Sequence, residues 1–264
     1  MSQALSTNVL HLAALDLLAS LATDKGEGDL ATKYAGWRDA LRQQVDQRFW
    51  LEDEQQYASF LTTTLDPAPV RRFDALGTAL AVLLAAGPDS HLSAAVAHYP
   101  LVVNGVPVLW PQQKETPIYH NRAMWPFVNA YFAKAAARVG NAAVLDHAVD
   151  ALIRGAALNL SHMENFEMVS GAAKLDDGVY SGPVVNSHRQ LWSVAGYLAM
   201  VHDVVFGCRF NDAGQWLVAP AVTRRMRRTL FANADTIALG GLDWRGKKLT
   251  IVLKMPAPNQ ADGL

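Results

Sequence analysis

Residues 121–155 read NRAMWPFVNAYFAKAAARVGNAAVLDHAVDALIRG. Apolar side chains recur there at three- and four-residue spacing on both sides of Gly140-Asn141, which predicts two helices, over 121–139 and from 141 onward, folded back on each other. In the second, Val144, Ala148, Ala151, Leu152 and Gly155 share the buried face. The unit is an αα-hairpin, and the question is how much of the chain repeats it.

Toward the N-terminus, Leu10, Ala13, Ala14, Leu17, Leu18 and Leu21 lie on one helical face, with Ser6 or Thr7 as N-cap. After a break at Gly26 to Gly28, Leu30, Tyr34, Trp37, Leu41 and Val45 make a second stripe. A third helix over 73–86 is stopped by Gly87-Pro88, and Asp89 or Ser90 caps a fourth that ends before Pro100. A seventh, over 187–206, carries Leu191, Val194, Leu198, Val201 and Val205 on one face. Beyond Gly207 the texture changes to short alternating runs at 215–219, 229–232, 236–239 and 249–254, with Gly240-Gly241 and Arg245-Gly246 between them. The expected fold class is therefore mainly α, helical hairpins over 1–208 followed by a short antiparallel β segment over 209–264. No self-similarity recurs at the roughly 34 to 47 residues of a helical repeat array.

Composition narrows the function classes. Of 264 residues, 51% are hydrophobic and 18% charged, with a formal net charge of −1 and a mean hydropathy of +0.06. Such a chain can bury a sizeable core, and it has no long-range field to attract nucleic acid or an anionic membrane surface. The cluster Arg224, Arg225, Arg227 and Arg228 reads as a solvated strand edge rather than an anion site, because it lacks interleaved aromatic rings. Cys208 is the only cysteine, so neither an internal disulfide nor a thiolate zinc cluster is available, and it reads as a small buried apolar residue. The longest apolar stretch, 75–87, is shorter than the roughly 18 to 20 residues of a membrane span, and a soluble chain is expected. The N-terminal segment lacks a basic region and holds Asp16 within its apolar run, so it reads as the first helix rather than a signal peptide, leaving the compartment open.

Chemistry is expected in the long connections 55–64, 101–118 and 163–183, since loops beyond about 12 to 15 residues in a compact domain tend to be functional. Three motifs stand out: Tyr119-His120-Asn121-Arg122-Ala123-Met124-Trp125-Pro126, Glu164-Asn165-Phe166-Glu167-Met168-Val169-Ser170-Gly171, and Asn186-Ser187-His188-Arg189-Gln190-Leu191-Trp192-Ser193. Aromatic rings cover the apolar face of a sugar, imidazole and amide groups bond its hydroxyls, and a carboxylate among them can act as acid or base. The plainer alternative makes Trp125 and Trp192 core residues, His120 and His188 helix caps, and Glu164 a solvated loop carboxylate. A metal site at His162, Glu164 and Glu167 fits poorly, because His-x-Glu is not the i, i+4 pair of a zinc-binding helix. No metal and no cofactor are expected.

Together these motifs resemble the six-hairpin glycosidases, the (α/α)6 toroid superfamily of glucoamylases, trehalases, processing α-glucosidases and mannosylglycerate hydrolases. Their E-N-Y-x-x-x-T-G loop is similar to Glu164-Asn165-Phe166 running to Ser170-Gly171, and their Q-W-[ST] helix start to Gln190-Leu191-Trp192-Ser193. Their H-N-G-x-x-W-P segment looks like His120 to Pro126, with Arg122 in place of glycine. Ser6-Thr7-Asn8 is similar to the opening of a middle hairpin in such proteins.

The resemblance implies inverting hydrolysis of a carbohydrate substrate, with Glu164 as the general base and Glu167 as the second candidate. His120, Asn121, Trp125, Gln190 and Trp192 would line the sugar subsite. It also implies a general acid in a loop before the hairpin with which this chain begins. Asp66 and Asp74 are the substitutes within the chain, although Asp74 at a helix start is explained by the helix dipole alone. A full toroid has twelve helices and about seven are expected here, so the chain reads as the C-terminal part of such an enzyme, with apolar helix faces open to self-association. A non-catalytic carbohydrate-binding remnant of the same fold and a helical scaffold for protein partners are the alternatives.

Overall fold

A computed structural model describes residues 3–114, 116–173, 187–211 and 214–255. Asn186, which opens the third motif, and residues 174–183 of the long third loop lie outside the described residues.

The chain begins with β1 (Gln3–Ala4) and α1 (Leu5–Asp24), followed by α2 (Gly28–Phe49), β2 (Trp50–Leu51), β3 (Gln56–Tyr57) and β4 (Phe60–Leu61). Next come β5 (Phe73–Asp74), α3 (Ala75–Leu83), α4 (Asp89–Ala97), β6 (Leu109–Trp110), α5 (Ile118–Asn121) and β7 (Ala123–Met124). The hairpin of the central stretch is α6 (Pro126–Arg138) and α7 (Ala142–Asn159), followed by β8 (Phe166–Glu167) and α8 (Leu191–Ala199), which runs into a π-helical turn, Met200–Val205. The chain then forms β9 (Cys208–Phe210), β10 (Trp216–Val218), α9 (Arg224–Thr229), β11 (Thr236–Trp244) and β12 (Lys247–Lys254).

Four helices, α1, α3, α6 and α8, stand side by side in that order, while α2, α4 and α7 pack outside α1, α3 and α6 as their hairpin partners. This is the toroid arrangement of inner and outer helices, with small antiparallel strand pairs at the inner-helix entrances. β1 pairs with β4, β5 with β6, and β7 with β8, immediately before α1, α3 and α6. One apolar core joins the helices, from Tyr57 and Phe132 through Leu145 to Met226 of α9.

The hairpin that suggested the fold keeps its expected face: Val144, Ala148, Ala151, Leu152 and Gly155 are all buried. The Asn141 side chain caps α7 by accepting from the Val144 N–H at 3.1 Å. Its partner helix is shorter than expected. Pro126 sits at the first turn of α6, where its missing N–H costs nothing, and residues 123–124 pair instead as β7 with β8.

Two stripes read from periodicity are left largely exposed. In α1 the core takes Leu5, Val9, Leu12, Ala19 and Ala22, whereas Leu10, Leu17, Leu18 and Leu21 are 42–60% exposed. This helix is apolar on more than one side, so spacing alone could not choose the inner face. In α8 and its π-helical turn, Val205 is buried, but Leu191 and Leu198 are 83% and 61% exposed. Of the α2 stripe, Val45 alone is fully buried. A concave apolar groove of about 480 Å³, lined by Leu10, Leu76, Leu80, Phe127 and Trp192, opens on the inner side of the helix row.

Neither Ser6 nor Thr7 caps α1: Ala4 occupies the N-cap, and the Leu5 N–H is taken by the Ser59 carbonyl at 2.9 Å, brought there by the β1–β4 pair. Pro88, not Asp89 or Ser90, is the N-cap of α4. α1 is long and apolar enough to cross a membrane by length and composition. Here it packs on α2 and α3, and Asp16 on it pairs with Arg38 of α2.

In the C-terminal part, no strand forms over 229–232. Thr223 caps α9 by accepting from the Met226 N–H at 3.0 Å, and the arginine cluster is this helix, not a strand edge. Arg225 pairs with Asp150 of α7, and Arg227 is buried. Gly240-Gly241 forms a bulge inside β11 rather than a turn. Arg245-Gly246 does connect two strands, and both residues hold the positive φ that a two-residue hairpin loop demands.

Candidate active site

The loop after α7 carries both candidate glutamates, and one glycine lets it come close. A Cβ at Gly155 would stand 2.8 Å from the Phe166 ring, so the bare backbone of α7 admits the ring that anchors Glu164-Asn165-Phe166. Phe166 and Glu167 then pair as β8 against Met124 and Ala123 of β7. The first and second motifs are thereby stapled together at the entrance of α6.

Glu164 is 6% exposed. Its backbone N–H donates to the Ser187 carbonyl at 3.0 Å. Its Oε1 accepts from the Tyr119 hydroxyl at 2.9 Å, and its Oε2 accepts from the Ser187 N–H at 3.2 Å. A carboxylate offers about four lone-pair positions. These two donors use one on each oxygen.

Glu167 differs. Its Oε2 accepts from the Val169 N–H at 3.1 Å, the Ser170 N–H at 2.6 Å and the Ser170 hydroxyl at 2.7 Å, and its Oε1 faces Arg122 Nη2 at 3.4 Å. Burial alone would raise this carboxyl, but the Ser170 and Val169 donors and the Arg122 charge outweigh it and hold it below the usual glutamate range. Arg122, at the position where the resembling family has glycine, thus engages the loop carboxylate.

An aromatic wall adjoins Glu164 through Tyr119. The Tyr119 ring meets His120 and Trp125 edge-on at 4.5 and 5.0 Å, and His120 stacks on Trp125 at 4.8 Å and 12°. Trp192 lies 5.9 Å from Trp125 and 5.5 Å from Phe127, and is 44% exposed. Lost solvation pushes the His120 imidazole below its ordinary value, against the opposing pull of Glu164. Lost solvation, with the Glu164 hydrogen bond and charge, raises the Tyr119 hydroxyl.

His120, Trp125 and Trp192 thus share one aromatic wall, which reaches Glu164 through Tyr119. Asn121 turns away from it: its amide accepts from the Gln113 N–H at 2.7 Å and donates to the Gln113 and Thr116 carbonyls, so it shapes the preceding loop. Gln190 is the N-cap of α8, and its backbone N–H donates to the His162 carbonyl. His162 itself packs on Tyr197 at 4.9 Å. Among the described residues, no three His, Cys, Asp or Glu side chains gather as a metal site.

Of the two substitute acids, Asp66 lies in an exposed turn and its N–H donates to the Thr63 hydroxyl. Asp74 caps α3, accepting from the Leu76 N–H at 3.0 Å. Burial raises its carboxyl above the usual aspartate range, against backbone donors from Gly77 and Leu76. Sequence reasoning missed Tyr119 and Ser187 as partners of Glu164. Tyr119 was within reach, since it opens the first motif.

Inner and outer helices with carboxylate-bearing loops at the inner-helix entrances define the chain as a toroid-type glycoside hydrolase domain. The particular family follows from sequence: the "Mannosylglycerate hydrolase MGH1-like glycoside hydrolase domain" matches residues 2–193, more than half the chain, and the chain belongs to that family. Among solved structures, a GH63 mannosylglycerate hydrolase from Thermus thermophilus in complex with Tris aligns with a TM-score of 0.55 at 14% identity, over 75% of this chain and 45% of that one. A sialidase aligns with a TM-score of 0.65 at 14% identity, over 95% of this chain and 23% of that one. A GH78 rhamnosidase of Bacillus sp. GL1 gives 0.53 at 14% identity, over 79% and 20%. The chain therefore spans less than half the length of each of these structures, and at this identity the likeness concerns the fold. No curated protein sequence matches it.

Proposed function

We propose that this domain contributes the general base and one wall of the sugar subsite to an inverting glycoside hydrolase, with Glu164 as the base. The observation that carries the reading is the contrast between the two glutamates. Glu164 spends one hydrogen bond on each oxygen beside an aromatic wall, whereas Glu167 meets three donors on one oxygen and a guanidinium on the other. An ionised Glu164 can take a proton from a water molecule as that water attacks the anomeric carbon. His120 and Trp192 are the exposed rings of the wall and offer packing for the apolar face of a sugar ring, while Trp125, 4% exposed and stacked under His120, backs them from the core.

The leaving oxygen needs a proton from a second carboxyl about 6.5 to 9.5 Å away. In this reading Asp74 remains a helix cap, and the acid comes from the share of the longer fold beyond this chain. Mannosylglycerate, named for the family and for one aligned structure, is the first substrate to test.

Hydrolysis by a protein that carries this domain together with the acid-bearing remainder of the fold, followed by proton NMR, gives both answers, since the first anomer released reports the stereochemistry. The expected result is release of the inverted anomer, with Glu164→Gln lowering kcat by about 10² to 10⁴ and leaving sugar binding in place. A retained anomer, or undiminished turnover by Glu164→Gln, would overturn the reading. Binding without turnover in a protein that carries this domain together with the second carboxyl would favour the non-catalytic alternative.

A further inference from the structure

We infer that Tyr119 is the positioning residue of the site, fixing the Glu164 carboxylate in its working orientation. This rests on the assignment of Glu164 as the base. Glu164 sits in a loop, where a free side chain would sample several rotamers, and two donors restrict it. One is the backbone N–H of Ser187, which side-chain substitution does not remove. The other is the Tyr119 hydroxyl, 2.9 Å from Oε1.

Tyr119 is itself held. Its ring is edge-on to Trp125 at 5.0 Å and to His120 at 4.5 Å, and its carbonyl accepts from Trp125 Nε1 at 3.4 Å. The hydroxyl therefore reaches Glu164 from a ring whose place is set by the aromatic wall. Through this contact the wall that would carry the sugar and the group that would activate water are fixed relative to one another.

A hydroxyl that donates to a carboxylate favours its ionised form. Its removal takes from the carboxylate one of its two donors and frees the side chain to leave its working orientation. Tyr119→Phe keeps the ring and deletes that donor alone. The expected result, on whichever glycoside the wild-type enzyme cleaves, is a kcat reduced about tenfold or more with KM nearly unchanged, and an acidic limb of the kcat/KM profile displaced toward higher pH. A purely structural tyrosine would lower thermal stability and leave that limb where it was.

The contact can also be read without turnover. The tyrosinate absorbance that Tyr119→Phe removes should titrate at high pH in the wild-type protein and at lower pH in Glu164→Gln, once the neighbouring charge is gone. Two results overturn the inference: an unmoved acidic limb in Tyr119→Phe while Glu164→Gln is inactive, or a tyrosine titration indifferent to Glu164→Gln. Full activity of Glu164→Gln would instead remove the base assignment itself, so the two failures are told apart.

Discussion

At the scale of single residues, two glutamates three positions apart in one loop have been given different work by their donors. Glu167 closes the Ser170-Gly171 turn and ties it to Arg122. Glu167→Ala should leave the Val169 and Ser170 donors unmet and cost about 1–3 kcal/mol of stability, measurable by denaturant unfolding. Because the folded carboxyl ionises below its ordinary value, its contribution is complete above about pH 4.3 and is lost as the pH falls through the lower folded value. Thermal unfolding followed across that acidic range should show less pH dependence in Glu167→Gln than in the wild type. The motif order exposed the loop, but not which glutamate was engaged. Both letters are the same in sequence, and the difference lies in a serine hydroxyl, an arginine and a tyrosine that the fold brings in. Asn121 shows the converse, a motif residue whose amide closes on the neighbouring Gln113 and Thr116 backbone.

At the scale of elements, legibility followed the number of apolar faces. α7 has one, and its five expected positions are buried. α1 has more than one, and the stripe of larger leucines proved to be the exposed one. The break before α6 was written in Pro126, but β7 depends on pairing with β8, some forty residues on, which local spacing cannot report. The approach of the loop to α7 gives an element-scale prediction. Gly155→Ala places a methyl 2.8 Å from the Phe166 ring, and should cost about 1–3 kcal/mol as the ring and its loop are forced to move. Activity should fall with stability in this variant, although no sugar-facing side chain has changed.

At the scale of the whole molecule, the row α1, α3, α6, α8 leaves an apolar concave groove and four half-exposed leucines on α1. Exposed apolar surface of this kind promotes association. Sedimentation velocity should detect concentration-dependent self-association of the isolated chain, weakened by Leu17→Lys with Leu21→Glu; a monomer indifferent to both would remove that expectation. The donors on Glu164 come from different places in this architecture: Tyr119 from α5 ahead of α6, and Ser187 from the segment ahead of α8. The spacing between α6 and α8 is in turn set by Gly196, where a Cβ would approach the Phe127 Cα to 3.0 Å. The carboxylate thus works as a gauge spanning two hairpins: a wedge at position 196, one turn along α8 from Trp192, would be registered as a change in the reach of the carboxylate proposed as the proton acceptor.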